Sequence, residues 1–586
     1  MKDRLCPDLM ARALGALAIV VLLAVGADPP RATQGSTIRF TDVSGSTGLA
    51  SFLNISGTPS KDFIVETIGN GVALFDYDND RDLDVLFVNG STLTEKAASH
   101  PMVALYRNDG DRFTDVTAAT GLTRPGWGTG VCVADYDNDG FEDVYITAYG
   151  PNVLWRNISG RSFVATTQAR DPRWSTGCAF GDYDRDGNVD LFVANFVRFV
   201  PGKVPTRGKR SSCRFENIDV FCGPRGLPGE PDALYRNQGN GTFADVTKAT
   251  NTLDPGYYGF GVLFSDLDDD GWPDIYVAND STPNLFFQNR RDGTFSERAL
   301  QSGLAVSADG REQAGMGVDA GDVNGDGRLD LVKTNFAQDY TSLYLNQGDA
   351  LFVDSSLRSG LTATLGPYLG WGVGFVDVDN DGLLDLFIAN GHVYPDVERT
   401  GTSTYRQRNQ LLRNVGRGQY RLITTEVGGP LLLEQSSRGA AFGDVDNDGD
   451  IDILVSAIDG RPLLLRNDST GGHWMTLRLE GVRGNRSAIG AKVVIETGAR
   501  RQTVEVRSGG SYMSHNDMRA HFGLGAATKV DKLTIRWPNG NSETAESLSV
   551  DRFYVAREGG GVQHEAARAS ALTITPSSAS ARTARR

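Results

Sequence analysis

The chain has 586 residues and carries 73 acidic against 58 basic side chains, a formal net charge of −15 at pH 7. That length allows two or more domains. The acidic balance argues against nucleic acid as a partner, because phosphate backbones are held by clustered Lys and Arg.

Residues 1–27 read as a secretory signal. Lys2, Arg4 and Arg12 supply positive charge, Ala13–Val25 an apolar stretch of 13 residues, and Val25-Gly26-Ala27 a small-residue cleavage site. The stretch is shorter than the ~20 residues that span a bilayer. Cys6 precedes it and is poorly placed for lipid attachment, and no other segment is apolar enough to cross. A secreted or extracytoplasmic protein is expected, with no stable membrane insertion after cleavage. The next element, Phe40-Thr41-Asp42-Val43, has the pattern of a last strand in the repeat described below, yet it precedes the first repeat. It is predicted to close a ring by pairing within the final repeat.

Seven times the chain then repeats Asp-x-Asp-x-Asp-Gly-x-x-Asp followed by an apolar residue. The candidate metal ligands are Asp76, Asp78, Asp80 and Asp84; Asp135, Asp137, Asp139 and Asp143; Asp182, Asp184, Asp186 and Asp190; Asp266, Asp268, Asp270 and Asp274; Asp322, Asn324, Asp326 and Asp330; Asp377, Asp379, Asp381 and Asp385; and Asp444, Asp446, Asp448 and Asp452. Oxygen ligands at alternate positions of a tight loop suit Ca2+, which takes six to eight of them in flexible geometry. Gly140, Gly187, Gly271, Gly327, Gly382 and Gly449 permit the bend at position six, where the first copy has Arg81 and is expected to be weaker. An EF-hand would need Glu at position twelve; these loops have Phe87, Ile146, Val193, Val277, Lys333, Ile388 and Val455. The residues after position nine read as a strand, as in Asp274-Ile275-Tyr276-Val277. Zinc would want Cys or His, and magnesium prefers strict octahedral geometry with retained waters. Without a cation the carboxylates would repel one another. Seven Ca2+ would bring the charge from −15 to about −1.

Each copy has Gly five residues before its first Asp, from Gly71 to Gly439, and most are followed by a segment such as Leu105-Tyr106-Arg107-Asn108 and then a strand such as Phe113-Thr114-Asp115-Val116-Thr117. Four short strands per unit make a propeller blade. The first Asp residues are spaced by 59, 47, 84, 56, 55 and 67. The longest gap holds an insertion, Phe196–Pro231, rich in Pro, Gly and Arg, which is expected on the binding face. Its Cys213 and Cys222 are expected to form a disulfide in an oxidising compartment. Cys132 and Cys178, at offsets −3 and −4 from their first Asp, are read as facing opposite sides of their sheets and remaining buried free thiols.

The Asp-rich loops stop near Asp468–Gly472, and strand signals continue through His473–Leu477, Lys492–Ile495 and Leu533–Trp537. The reading is all-β: a seven-bladed propeller over 36–470 with calcium-binding loops, a small β-sandwich over 473–557, and a disordered tail over 558–586.

The seven loops resemble the FG-GAP/VCBS repeats of integrin-α-type propellers. Ile489–Val493, Gly509-Gly510-Ser511-Tyr512, His521–Gly525 and Trp537-Pro538-Asn539-Gly540 resemble the ASPIC/UnbV domain. Together they are similar to the cartilage acidic protein family and its bacterial relatives. The resemblance implies a secreted, calcium-binding propeller; relatives named for enediyne pathways imply an enzymatic possibility without fixing a reaction. Two readings follow. The first is an extracellular recognition or scaffold module that binds a protein or glycan. The second is an exported enzyme with a His-based transition-metal or acid–base site, for which His392, His473, His515 and His521 are the candidates. Their spacing matches no recognised ligand pattern. There is no Gly-x-Ser-x-Gly elbow, no phosphate loop, and most Asp residues look committed to calcium rather than to a glycosidase pair.

Overall fold

A computed structural model describes residues 37–93 and 100–565. The expected signal segment and most of the expected tail lie outside them. Seven four-stranded antiparallel sheets follow one another along the chain, each holding one acidic loop between its first and second strands. In the first sheet the strands are Val72–Phe75, Asp84–Val88, Val103–Asn108 and Phe113–Asp115. The first strands of consecutive sheets pack against one another, and that of the seventh, Ser437–Gly443, packs against Val72–Phe75. The seventh sheet takes its fourth strand from the start of the chain: Phe40–Asp42 pairs with Leu463–Asn467, with Phe40 opposite Asn467. This pairing covers what would be an open edge.

Apolar side chains from neighbouring sheets form the layers between them; Phe75, Leu86, Val103, Val133, Ile146 and Trp155 share one such core. Cys132 and Cys178 also lie between sheets and are bonded to each other, so they are not free thiols. Offsets of −3 and −4 put them on opposite faces of their own sheets. Opposite faces of consecutive sheets are the ones that meet in a ring, which brings the two sulfurs together. Cys213 and Cys222 pair as expected.

The insertion lies across the aromatic centre of the ring. Phe199 packs on Phe63, Tyr149 and Trp174, and Phe221 on Tyr394. Its apolar residues therefore face inward.

Beyond the ring, two further four-stranded sheets share one core. One has the order Ala520–Gly525, His473–Glu480, Arg552–Arg557, Gly561–Glu565; the other Arg500–Glu505, Lys492–Thr497, Lys529–Arg536, Ser542–Ser549. Met475, Val493, Phe522, Ile535, Trp537 and Tyr554 fill the space between them. Gly561–Glu565 corrects the expectation of disorder from residue 558: Arg552–Arg557 offers it a ladder of backbone partners, which low apolar content does not forbid. Between the two sheets' strands, residues 506–519 enter the ring. Met513 O accepts from Val131 N–H at 3.0 Å, Ser511 O from Val318 N–H at 2.9 Å, and His515 exchanges bonds with Val72 and Leu74. Tyr512 is fully buried against Phe260 and Trp371. The segment thus adds to the first-strand edges of several sheets, as an added strand does.

Candidate metal centres

The loops are folded by their own carboxylates. In six of the seven loops the position-one Asp accepts backbone N–H bonds from positions five and six, as Asp135 does from Asp139 at 3.0 Å and Gly140 at 2.7 Å and Asp377 from Asp381 at 3.1 Å and Gly382 at 2.6 Å; in the fourth, Asp266 accepts from Gly271 at position six at 3.0 Å. The position-five Asp accepts from position seven, as Asp139 does from Phe141 at 3.1 Å. These are Asx turns. Position six is left-handed in every copy, including Arg81 at φ 78°, where L side chains are disfavoured. Arg81 N–H nonetheless reaches Asp76 at 2.8 Å, so the first loop keeps the fold of the others.

Position nine has a second job that the repeat pattern did not disclose. One oxygen of Asp84 accepts Tyr77 N–H at 3.1 Å and the other Asn108 N–H at 2.8 Å. The same pair of bonds recurs in five of the other six sheets, and in the remaining one Asp385 keeps the bond from Asn414 alone. Each such Asn then donates its side-chain amide to the position-two carbonyl of a neighbouring loop, at 2.7 to 3.0 Å: Asn157 to Tyr77, Asn237 to Tyr136, Asn289 to Tyr183, Asn346 to Leu267, Asn414 to Val323, Asn467 to Val378 and Asn108 to Val445. The recurrence of Asn after Arg was the available signal; its partner lay in another repeat.

The residues fit a hard cation. In loops one, two, three, four and six, three carboxylates present oxygens within 4.8 Å of one another, for example Asp135, Asp137 and Asp143. Asp137 Oδ1, Asp184 Oδ1, Asp266 Oδ1, Asp379 Oδ1, Asp385 Oδ2 and Asp446 Oδ1 are buried with no hydrogen-bond partner. A buried acceptor left unmatched is costly, and a cation supplies what these lack. Burial, and then the carboxylates alongside, push Asp135 and Asp182 up to about 7 and Asp143 to about 9. Arg156 reaches Asp137 at 2.5 Å and Asp139 at 3.1 Å, and Arg236 reaches Asp184 at 2.7 Å and Asp186 at 3.1 Å, offsetting part of this charge from outside.

The two-sheet unit sits on these loops. Lys492 lies 3.2 Å from Asp266, Arg500 donates to Asp381 O at 2.5 Å, and Arg519 to Asp444 O at 2.8 Å.

The four histidines occupy four different settings. His392 is buried among Phe215, Phe336 and Tyr394, with Nδ1 accepting Tyr394 N–H at 3.1 Å. His515 Nδ1 accepts Gly509 N–H at 3.0 Å within the central segment. His521 bridges Thr476 at 2.9 Å and Asn380 at 2.8 Å. Burial lowers all three to about 3. His473 is 2.7 Å from Asp551 at the edge of the unit.

A ring of acidic-loop sheets carrying a two-sheet unit is the architecture of an FG-GAP-like repeat protein with an ASPIC and UnbV domain. The chain carries both: it matches the FG-GAP-like repeat at residues 76–146, 135–193, 216–277 and 266–332, and the ASPIC and UnbV family at residues 481–563. It is similar to cartilage acidic protein 1 of Xenopus tropicalis, 27% identical over 80% of this chain and 70% of that protein. Against cartilage acidic protein 1 of Homo sapiens the identity is 30% over 46% of this chain, a match spanning only 39% of the human protein. Among solved structures a streptogramin B lyase is 10% identical, with a TM-score of 0.39, covering 71% of this chain and 98% of that one.

Proposed function

We propose that this chain is a secreted calcium-binding propeller that acts as an extracellular recognition or scaffold module, with up to seven Ca2+ ions holding its loops in shape. The observation that carries the reading is the set of buried, unpartnered carboxylate oxygens at repeated loop positions. Asp137, Asp184, Asp266 and Asp379 belong to the carboxylate trios, and oxygen-only donors of this kind suit calcium. The two disulfides fit an oxidising compartment. Among the described residues no helix is long and apolar enough to cross a membrane. Asp80, Asp139 and their equivalents would hold the ion together with positions one, three and nine, and the unit of residues 473–565 would then rest on stiffened loops.

Elemental mass spectrometry of the purified protein after dialysis against calcium tests this. Stoichiometric calcium close to the number of loops, with a melting temperature that falls on chelation and recovers on calcium addition, is the expected result. A melting curve indifferent to chelator would sink it.

A second reading rests on His473. Asp551 holds its Nδ1 at 2.7 Å beside a groove of about 480 Å³ that Asp448, Asp450 and Trp474 also line. An aspartate-held imidazole is the arrangement of an acid–base catalyst or a metal ligand. Stoichiometric copper, zinc or iron in the same measurement would move the conclusion to this exported-enzyme reading.

A further inference from the structure

The insertion has a charge opposite to that of its protein. Residues 196–231 carry seven basic and three acidic side chains, a local excess of four positive charges on a chain of net −15. Between Phe196 and Phe215 there is no acidic residue at all. The fold sorts these residues by exposure. Phe199, Val204, Ile218, Val220 and Phe221 are buried toward the ring. Lys203, Lys209, Arg210 and Arg225 are exposed and, among the described residues, form no ion pair.

The surface is held in place. Arg207 N–H donates to Asp62 O at 3.2 Å, Arg207 pairs with Asp396 at 3.1 Å, and the Cys213–Cys222 bond closes the short hairpin beyond the turn. The cationic residues therefore stand on a braced segment at the aromatic end of the ring, away from the acidic loops that carry the two-sheet unit. At physiological ionic strength charges beyond about 8 Å are largely screened, so a ligand meeting this face responds to the local excess rather than to the net charge.

We infer that this face binds an acidic polysaccharide, through the sulfate or carboxylate groups of a flexible chain. The inference deepens the recognition reading above and rests on it. The apolar content of the insertion separates this partner from others. Protein interfaces and membranes need buried apolar anchors, and the single large apolar side chain exposed here is Val200, at 37%. Single-stranded nucleic acid is held by stacking on accessible aromatics, whereas Phe199 and Phe221 are buried and Phe215 is packed on Phe336, His392 and Tyr394. Cations on long stems without an apolar anchor suit a flexible polyanion.

The test measures binding of the calcium-saturated full chain to immobilised heparin and to polygalacturonate, as sulfated and carboxylated probes. Binding to at least one probe that weakens as salt rises is expected, as for any contact that releases counterions. The triple variant Lys203→Glu, Lys209→Glu, Arg210→Glu should weaken it by about tenfold or more, while Lys529→Glu with Lys532→Glu on the two-sheet unit should leave it within about twofold. Absence of binding to both probes at low salt, or equal loss in the two variants, overturns the inference. Equally tight binding of single-stranded DNA overturns the polysaccharide assignment. Calcium content is measured on the same samples. Full calcium without probe binding removes this inference alone, and absent calcium removes the reading it rests on.

Discussion

Asn108, at the end of a strand in the first sheet, donates its side-chain amide to the carbonyl of Val445 in the seventh, across 337 residues of chain, at 3.0 Å. The same amide reaches Leu83 O at 3.2 Å and its own backbone N–H is held by Asp84. One side chain thus ties the loop of its own sheet to that of the sheet beside it. The junction where the ring closes is built like the other six.

Replacing Asn108 with Ala leaves Val445 O and Leu83 O buried without that donor. Losing a buried partner costs about 1–3 kcal/mol, so Asn108→Ala should lower the melting temperature measurably in scanning calorimetry. An unchanged melting temperature would show that the amide does not bear on ring stability.

Arg81 stands where six other loops have Gly, at φ 78°. A left-handed residue with a β-carbon costs roughly 1 kcal/mol. Arg81→Gly removes this strain and, with it, an Arg–Glu565 contact of 3.5 Å whose arginine side is 56% exposed. Such exposed pairs contribute little. A small rise in stability is expected, and titration with calcium should find the first loop binding at least as tightly. A fall in stability would mean that the Glu565 contact matters more than the backbone strain.

Lys333 occupies position twelve of the fifth repeat, fully buried, with Nζ 3.3 Å from Gln313. Burial lowers its pKa to about 7, against weaker opposing pulls from Asp339 and Asp354. Between pH 7 and the unfolded value of 10.5 the unfolded chain therefore holds a proton that the folded one has lost. Stability from this group rises with pH over that window and is lost as pH falls toward 7. Lys333→Met should stabilise the protein more at pH 7 than at pH 10, since Gln313 keeps a bond from Ser342 at 2.9 Å. Equal gains at the two pH values in thermal melts would contradict a neutral buried lysine.

Cys132 and Cys178 should both be unreactive to alkylation in the unreduced, denatured protein, with a peptide mass that shows them joined. Cys132→Ser with Cys178→Ser is expected to cost about 2–4 kcal/mol in denaturant unfolding. Quantitative alkylation of either thiol without reduction would restore the free-thiol reading.

Much of this was legible from residue types alone. Asp and Gly at fixed offsets define both the loops and the strand that leaves them, because the same carboxylates that gather in the loop also bond its backbone. Phe40–Asp42 could be assigned to the last sheet because it repeats the fourth-strand pattern in the wrong place. The losses have a common cause. The Asn amides, the Cys132–Cys178 bond and the Ser511–His515 contacts all join elements far apart in sequence, where no local period marks the partner. The strand Gly561–Glu565 escaped because it is fixed by pairing with Arg552–Arg557 rather than by apolar spacing.

The segment around Tyr512 has a consequence for how the molecule is made. Val72, Leu74, Val131, Val318 and Val373 all bond to residues between Ser511 and His515, including the Ser511 hydroxyl. During synthesis these strands emerge long before their partner does, so the inner edges of these four sheets stay bare until a stretch of chain made after all of them arrives. A domain translated after the ring is in this sense the keystone of the ring.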